Sequence, residues 1–162
     1  MEYLDFFKKL NNEKIEYLIV GGLAMIIYGA PRFTYDIDIV IALENKNIFK
    51  LMTILGKLGY KVKIPVNPLD FADKEIREDW IKNKNMKAFN FYNDNSNIPE
   101  LDIVIAEADY ELLKKNQKHF FVDDVLLPLP SIDDLIAMKN NAGRKVDYED
   151  VEFLKIIEKN NV

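Results

Sequence analysis

Apolar positions along the chain alternate between two periods, and the switches between them mark the elements. Leu4, Phe6, Phe7 and Leu10 fall at near-helical spacing and predict a helix over Tyr3 to Leu10, with Asn11-Asn12 as its stop. Tyr17 to Val20 is a short β-branched run that ends at Gly21-Gly22, and Leu23 to Tyr28 then predicts a buried helix closed by Gly29. Tyr35 to Ala42 alternates with period two: Asp36, Asp38 and Val40 share one face, and Ile37, Ile39 and Ile41 the other. Such a pattern predicts a central strand. Ile48, Leu51, Met52, Ile54, Leu55 and Leu58 form an amphipathic stripe, so Asn47 to Leu58 is expected as a helix ending at Gly59, and Tyr60 to Ile64 as a returning strand.

After Pro65 and Pro68, the apolar positions Phe71, Ile76, Trp80 and Ile81 predict one helix over Leu69 to Asn83. Met86 to Tyr92 and Glu100 to Ala106 are expected as two strands of a hairpin, joined through the polar loop Asn93-Asp94-Asn95-Ser96-Asn97. Asp109 to Lys115 follows as a short helix, and His119 to Pro128 as strand around an Asp123-Asp124 turn. Ser131 opens a helix to Asn141 with a variant capping box to Asp134 and Gly143 as C-cap. Asp147 is placed as the N-cap of a last helix to Lys159, with Val151, Phe153, Leu154, Ile156 and Ile157 inward. The expected architecture is α/β (α+β), a mixed β-sheet flanked by helices. It is one domain over 1–162, with a core at 1–106 and a C-terminal helical part at about 107–162.

Composition narrows the chemistry. At 162 residues and 49% hydrophobic content the chain can bury a genuine core. Its net charge of -5 repels polyanions, which makes duplex DNA a poor partner. There is no Cys and a single His, His119, so thiolate zinc, Cys nucleophiles and multi-histidine centres are excluded; any metal must be held by oxygen. No apolar run approaches the roughly 18 residues of a membrane span, and the charged N-terminus lacks a secretory pattern. A cytoplasmic protein without a membrane partner is expected.

Candidate chemistry concentrates on aspartates. Two apart on a strand, Asp36 and Asp38 project from one face with Cα atoms roughly 6.5 to 7 Å apart, while Ile37 between them anchors the other face. Rigid carboxylates so placed could hold two divalent cations about 3.5 to 4 Å apart, the arrangement that clamps both oxygens of an in-line phosphoryl displacement. Asp38-Ile39-Val40-Ile41-Ala42 also recurs as Asp102-Ile103-Val104-Ile105-Ala106. If the two strands are neighbours, Asp102 completes a three-carboxylate cluster; in a chain rich in Ile the repeat could equally be coincidence. Strand, Gly21-Gly22 and helix in that order leave backbone N–H groups free to meet phosphate, although a tight turn needs nothing more.

In order and spacing these features resemble the nucleotidyltransferase superfamily. Its signature is a hydrophobic strand, Gly-Gly or Gly-Ser, about a dozen residues, Asp-hydrophobic-Asp, and a third acid on a later strand. Here these read Gly21-Gly22, thirteen intervening residues, Asp36-Ile37-Asp38 and Asp102. Arg32-Phe33-Thr34-Tyr35-Asp36-Ile37-Asp38 is similar to the Arg-x-Thr-x-Asp-hydrophobic-Asp pattern of the AbiEii-like group, known for toxin subunits of toxin-antitoxin systems. The segments Pro130 to Lys139 and Arg144 to Val151 resemble that group's helical elements.

The resemblance implies a nucleotidyltransferase-type fold, two Mg2+ ions, and catalytic and metal-binding roles for Asp36, Asp38 and Asp102, the last also assisting deprotonation of an acceptor hydroxyl. Gly21, Gly22, Arg32, Thr34 and Lys139 are the expected nucleotide-binding positions. Arg32 could pair with triphosphate oxygens and Lys139 could neutralise a phosphate, or they could be a loop cation and a solvated helix residue. Trp80, Phe89, Phe91 and Tyr92 could stack on a base, but core packing is the better expectation. The reaction expected is transfer of a nucleoside monophosphate from an NTP to an acceptor hydroxyl with release of pyrophosphate. The acceptor (tRNA, protein or small molecule) is open. The alternative is a regulatory nucleotide-binding module acting as a toxin-antitoxin component with a cognate antitoxin partner.

Overall fold

The computed structural model describes residues 3–105 and 108–160. In chain order its helices are α1 (Tyr3–Asn12), α2 (Gly21–Ile27), α3 (Asn45–Lys57), α4 (Lys74–Asn83), α5 (Tyr110–Lys115), α6 (Ile132–Ala142) and α7 (Lys145–Asn160). The strands are β1 (Tyr17–Val20), β2 (Ile37–Ile41), β3 (Tyr60–Val62), β4 (Ala88–Asn93), β5 (Leu101–Val104), β6 (Lys118–Val122) and β7 (Val125–Leu129).

Five strands form one mixed sheet in the order β1-β2-β5-β4-β3, and β6 and β7 form a separate hairpin. Only β2 and β5 run parallel; the remaining pairs in the large sheet are antiparallel. The architecture is the mixed α/β class expected. The two Asp-Ile-Val-Ile segments do lie side by side, and β4 and β5 form the expected hairpin. Ala106, the predicted end of β5, falls outside the described residues.

Strand alternation divides the sheet's burial. Ile19, Ile37, Ile39, Ile41, Leu101, Ile103, Phe89 and Phe91 belong to one large cluster with Phe6, Phe7 and Leu10 of α1 and Ile48, Leu51 and Leu55 of α3. Removing such side chains from water at roughly 25 cal/mol per Å² is the main force holding the layers together. Val125, Leu127 and Leu129 of β7, Leu135 of α6 and Leu154 of α7 join the same cluster, so the C-terminal elements share the core of the rest. On the opposite face Leu18, Val20, Val40 and Ala42 meet Tyr110 and Leu113 of α5, with Val104 and Met138 packed against them. That second cluster closes the floor beside the aspartates.

Three expectations are corrected. Leu69 to Asn83 is not one helix: a 3-10 turn at Pro68–Ala72 gives way to α4 at Asp73, whose carboxylate accepts from Glu75 and Ile76 N–H at 2.9 and 3.1 Å. Arg77 fixes that junction by donating to the carbonyls of Phe71 and Leu43 at 2.8 and 3.2 Å. Asp147 is not the N-cap of α7 but its third residue, reaching back to Arg144 N–H at 3.0 Å as the acid of a capping box does. Ile156 is 57% exposed; the buried stripe of α7 is instead Asp147, Asp150, Val151 and Leu154.

The turn expectations hold. Asp123 and Asp124 both take positive φ, 46° and 61°, as a two-residue hairpin turn demands. Ser131 accepts from Asp134 N–H at 3.2 Å, and Gly143 ends α6 with φ 63°.

Candidate active site

Sheet register builds the site. Val20 pairs with Asp38, Asp38 with Asp102, and Asp102 with Asn90, so four strands present one row of side chains on one face. Asp36 stands one residue before β2, where Ile37 N–H reaches Glu100 O at 2.9 Å and starts the parallel ladder. The expected strand thus begins later than Tyr35, and Asp36 is exposed on the loop while Asp38 is half-buried. Tyr3 holds that loop by donating from its hydroxyl to the carbonyls of Thr34 and Tyr35 at 3.3 and 3.0 Å.

Gly21 opens α2 at φ 62°, the left-handed region that side chains rarely adopt. The position is tight as well as strained: a Cβ there would lie 2.0 Å from Asp38 Oδ2. A Cβ on Gly22 would meet Thr34 Oγ1 at 2.9 Å. The glycines therefore admit Asp38 and Thr34 to the start of α2, where the nearby Gly22 N–H favours the charged form of the Asp38 carboxyl. The N–H expected to face phosphate is met here by the protein's own aspartate.

Electrostatics single out Asp38. Burial, then the charges of Asp102 and Asp36, push its carboxyl up to about 6, against relief from Gly22 N–H and the Arg144 guanidinium. Asp36 is also raised, by burial first and then by Glu100 and Asp102, with Lys63 opposing. Asp102 accepts from Asn90 Nδ2 at 2.7 Å.

A cationic wall faces the carboxylates. Lys139 on α6 is 6% exposed, and its Nζ lies 2.6 Å from Asp150 and 3.4 Å from Asp147 on α7. It is neither solvated nor free. Arg32 reaches the same Asp150 at 2.5 Å, and Arg144 holds Asp147 through Nε and Nη2 at 2.8 and 3.1 Å. This network ties α6, α7 and the loop before β2 together.

Gly21, Gly22, Arg32, Thr34, Asp36, Asp38, Asp102 and Lys139 all line one cleft of about 540 Å³, together with Lys87 and Arg144. Larger concavities exist, about 940 Å³ beside Tyr35 and Glu100 and about 720 Å³ between His119 and Glu158, but neither gathers these groups. Sequence reasoning missed Lys87 and Asn90 as site residues. Alternation in β4 could have found Asn90, the polar position between Ala88 and Tyr92; nothing marked Lys87. Trp80, Phe89 and Phe91 are core residues, 4%, 0% and 2% exposed.

The donor set suits a hard divalent cation: carboxylate oxygens, with no sulfur and no imidazole. Mutual repulsion among Asp36, Asp38 and Asp102 is the condition that a bound cation relieves. Among the described residues no three such side chains converge closely enough to hold one ion as they stand. Asp102 accepts from Asn90 and Asp38 lies against Gly22 N–H, so these carboxylates would have to turn toward one another to share an ion.

The sequence pattern defining a nucleotidyltransferase family of unknown function, DUF6036, matches residues 4–162. The chain belongs to this family. Solved structures agree on the fold. A lincosamide antibiotic adenylyltransferase, LnuA, bound to lincomycin superposes with a TM-score of 0.64 at 18% identity, covering 97% of this chain and 98% of that one. The antibiotic-resistance factor ANT(2'')-Ia gives 0.54 at 15% identity, covering 98% and 90%. An antigenic nucleotidyltransferase-like protein from Paracoccidioides brasiliensis gives 0.53 at 16% identity, covering 93% and 72%. No protein of curated function matches by sequence. Among the described residues no helix is long and apolar enough to cross a membrane.

Proposed function

We propose that this nucleotidyltransferase-family chain is a magnesium-dependent enzyme that moves a nucleoside monophosphate from a nucleoside triphosphate to an acceptor hydroxyl. The observation that carries the reading is the pairing of Asp38 with Asp102 across two parallel strands, facing a cleft that also holds Arg32, Lys139 and Arg144. Asp36, Asp38 and Asp102 would hold two Mg2+ ions, which when bound supply charge neutralisation for the phosphates.

In the reaction the acceptor oxygen bonds to the α-phosphorus as the bond from that phosphorus to the β-phosphate bridging oxygen breaks. Pyrophosphate leaves with the bond's electron pair, and the hydroxyl proton passes to the Asp102 carboxylate. Asn90 keeps that carboxylate oriented. Arg32, Lys139 and Arg144 draw the triphosphate in, and Thr34 with Gly21 and Gly22 shapes the start of α2 beside it. Catalysis of this kind rests on positioning and fixed charge without a covalent intermediate.

Isothermal titration with magnesium and each of the four triphosphates tests this. At least one triphosphate should bind only with magnesium, and Asp36→Ala combined with Asp38→Ala should abolish that binding. Wild-type protein that binds none of them overturns the reading.

The finer placement in the AbiEii-like group, with its toxin-antitoxin setting and antitoxin partner, is supported by the Arg32 to Asp38 pattern. Transfer of label from an α-labelled triphosphate into a cell extract distinguishes the settings by the size of the labelled species. A macromolecular product favours the toxin setting, and a low-mass product a small-molecule acceptor.

A further inference from the structure

A second cavity, of about 570 Å³, adjoins the aspartate cleft and shares Lys87 and Ala88 with it. Its wall is apolar: Ile64 and Val66 after β3, Trp80 of α4, and Met86 and Ala88 entering β4. The remaining wall residues include Lys84 and Lys87 and no carboxylate. Lys84 lies 5.9 Å from the Trp80 ring centroid and 3.7 Å from Asp79, which is outside the wall. Asn90 also lines this cavity and donates to Asp102 at 2.7 Å, so a ligand here sits against the residue that orients the proposed proton acceptor.

We infer that this cavity is the acceptor subsite, and that the acceptor is a small, neutral or anionic molecule with an apolar body and a hydroxyl directed at Asp102. The inference rests on the transferase reading above. An apolar wall of this size matches the body of a drug-sized ligand, and a few polar groups at one end fix its orientation. Charge separates this cavity from its rival. The larger groove carries Asp36, tyrosines and Glu100, the last paired with Lys63, and its net character suits a cation; this cavity has no acid in its wall, and Lys87, with Lys84 paired to Asp79, disfavours one. A polycationic sugar is thus disfavoured at the cavity that touches Asn90. The transfer step is the one written above, with this molecule's hydroxyl oxygen as nucleophile and its proton going to Asp102.

The probe is 8-anilinonaphthalene-1-sulfonate, an apolar anion whose fluorescence rises when it leaves water, added to the folded full chain. Ile64→Glu places a carboxylate at a partly exposed wall position and Lys84→Glu reverses the charge beside it. Each should cut the fluorescence enhancement at least fivefold at unchanged thermal stability. Tyr35→Ala and Glu100→Gln, in the rival groove, should leave it unaltered. Dye binding should also shift the Asn90 side-chain amide resonance.

An enhancement that survives Ile64→Glu and Lys84→Glu, or one lost in Tyr35→Ala, overturns the inference. So does an unshifted Asn90 amide. Because the dye assay needs no nucleotide, failure of triphosphate binding strikes the transferase reading and is read separately from failure at this cavity.

Discussion

Asp38 is held where its charge is costly. Its folded value of about 6 lies above the ordinary 3.8, so between those values the native state binds more protons than the unfolded chain and stability falls as pH rises. The strain is absent below about pH 4 and fully present at neutral pH. Asp38→Asn keeps an oxygen for Gly22 N–H and removes the charge; at pH 7.5 it should unfold later in urea, by on the order of 1 to 3 kcal/mol given about 1.36 kcal/mol per unit and partial solvent screening. At pH 4 the gain should vanish, and magnesium-dependent triphosphate binding should be lost at both values. An Asn variant weaker than wild type at pH 7.5 contradicts this account. Gly21→Ala carries the opposite sign: left-handed backbone costs an L-residue about 1 to 2 kcal/mol, and the added methyl meets Asp38 Oδ2. Urea denaturation should show a loss of at least that size. At this scale the sequence was informative where chemistry repeats. Asp38 and Asp102 were visible because the same four residues, Ile-Val-Ile-Ala, follow both, and strand period alone put Asp36 with Asp38. Asn90 was within reach of the alternation in β4 and the expected hairpin with β5 but was not read, whereas Lys87 was not visible, because its part depends on how the chain enters β4.

Helices α6 and α7 are joined by charge as much as by apolar contact. Asp150 accepts from Arg32 and Lys139, and its side chain is 8% exposed. Removing one member of a buried pair strands the other and costs roughly 3 to 5 kcal/mol, whereas replacing both with apolar groups can be nearly neutral. Asp150→Leu alone should therefore destabilise by about that amount, and Lys139→Met with Asp150→Leu should cost clearly less than the two single changes added together. Equal sums would place no coupling between α6 and α7. For Asp147, burial raises the carboxyl, but Arg144, through its side chain and backbone N–H, and then Lys139 bring it below 3.8. Its contribution is present above about pH 4 and lost as pH falls through the lower folded value. Acid unfolding of Arg144→Ala should accordingly begin from a lower stability and show a shallower slope below pH 4. Helical periodicity read α7 through its apolar residues and placed Ile156 inward. The true stripe contains two aspartates, buried because Lys139, Arg32 and Arg144 reach them from elsewhere, and no pattern within α7 encodes those partners. The break at Asp73 was hidden differently: Phe71, Ile76 and Trp80 keep near-helical spacing across it, while the carboxylate cap and Arg77 decide the local backbone.

The whole molecule depends on its C-terminal third in a way that the position of the aspartates conceals. All three aspartates lie before residue 106, and the five-stranded sheet is complete by Val104. Yet β7 packs against β1 and α1, and Val125, Leu127, Leu129, Leu135 and Leu154 belong to the cluster that covers the central strands. Met138 of α6 and α5 close the other face beside Val20 and Val40. A chain of residues 1–106 would bare the face covered by α5 and Met138 and keep only α1, α3 and their neighbours on the other, where β7, α6 and α7 complete the cluster; a smaller chain also buries a smaller fraction of its surface. It would further lose Lys139, Arg144, Asp147 and Asp150, leaving Arg32 without its buried partner and the aspartates without the cations that face them. Expressed alone, residues 1–106 should give a collapsed state without fixed packing: near-UV circular dichroism should be flat, and Trp80, 4% exposed in the full chain, should emit at longer wavelength. A fragment with cooperative urea unfolding and native near-UV signal would mean that the sheet and the aspartate row stand without the C-terminal elements, and that β6, β7, α6 and α7 are an attachment to the fold instead of part of its core.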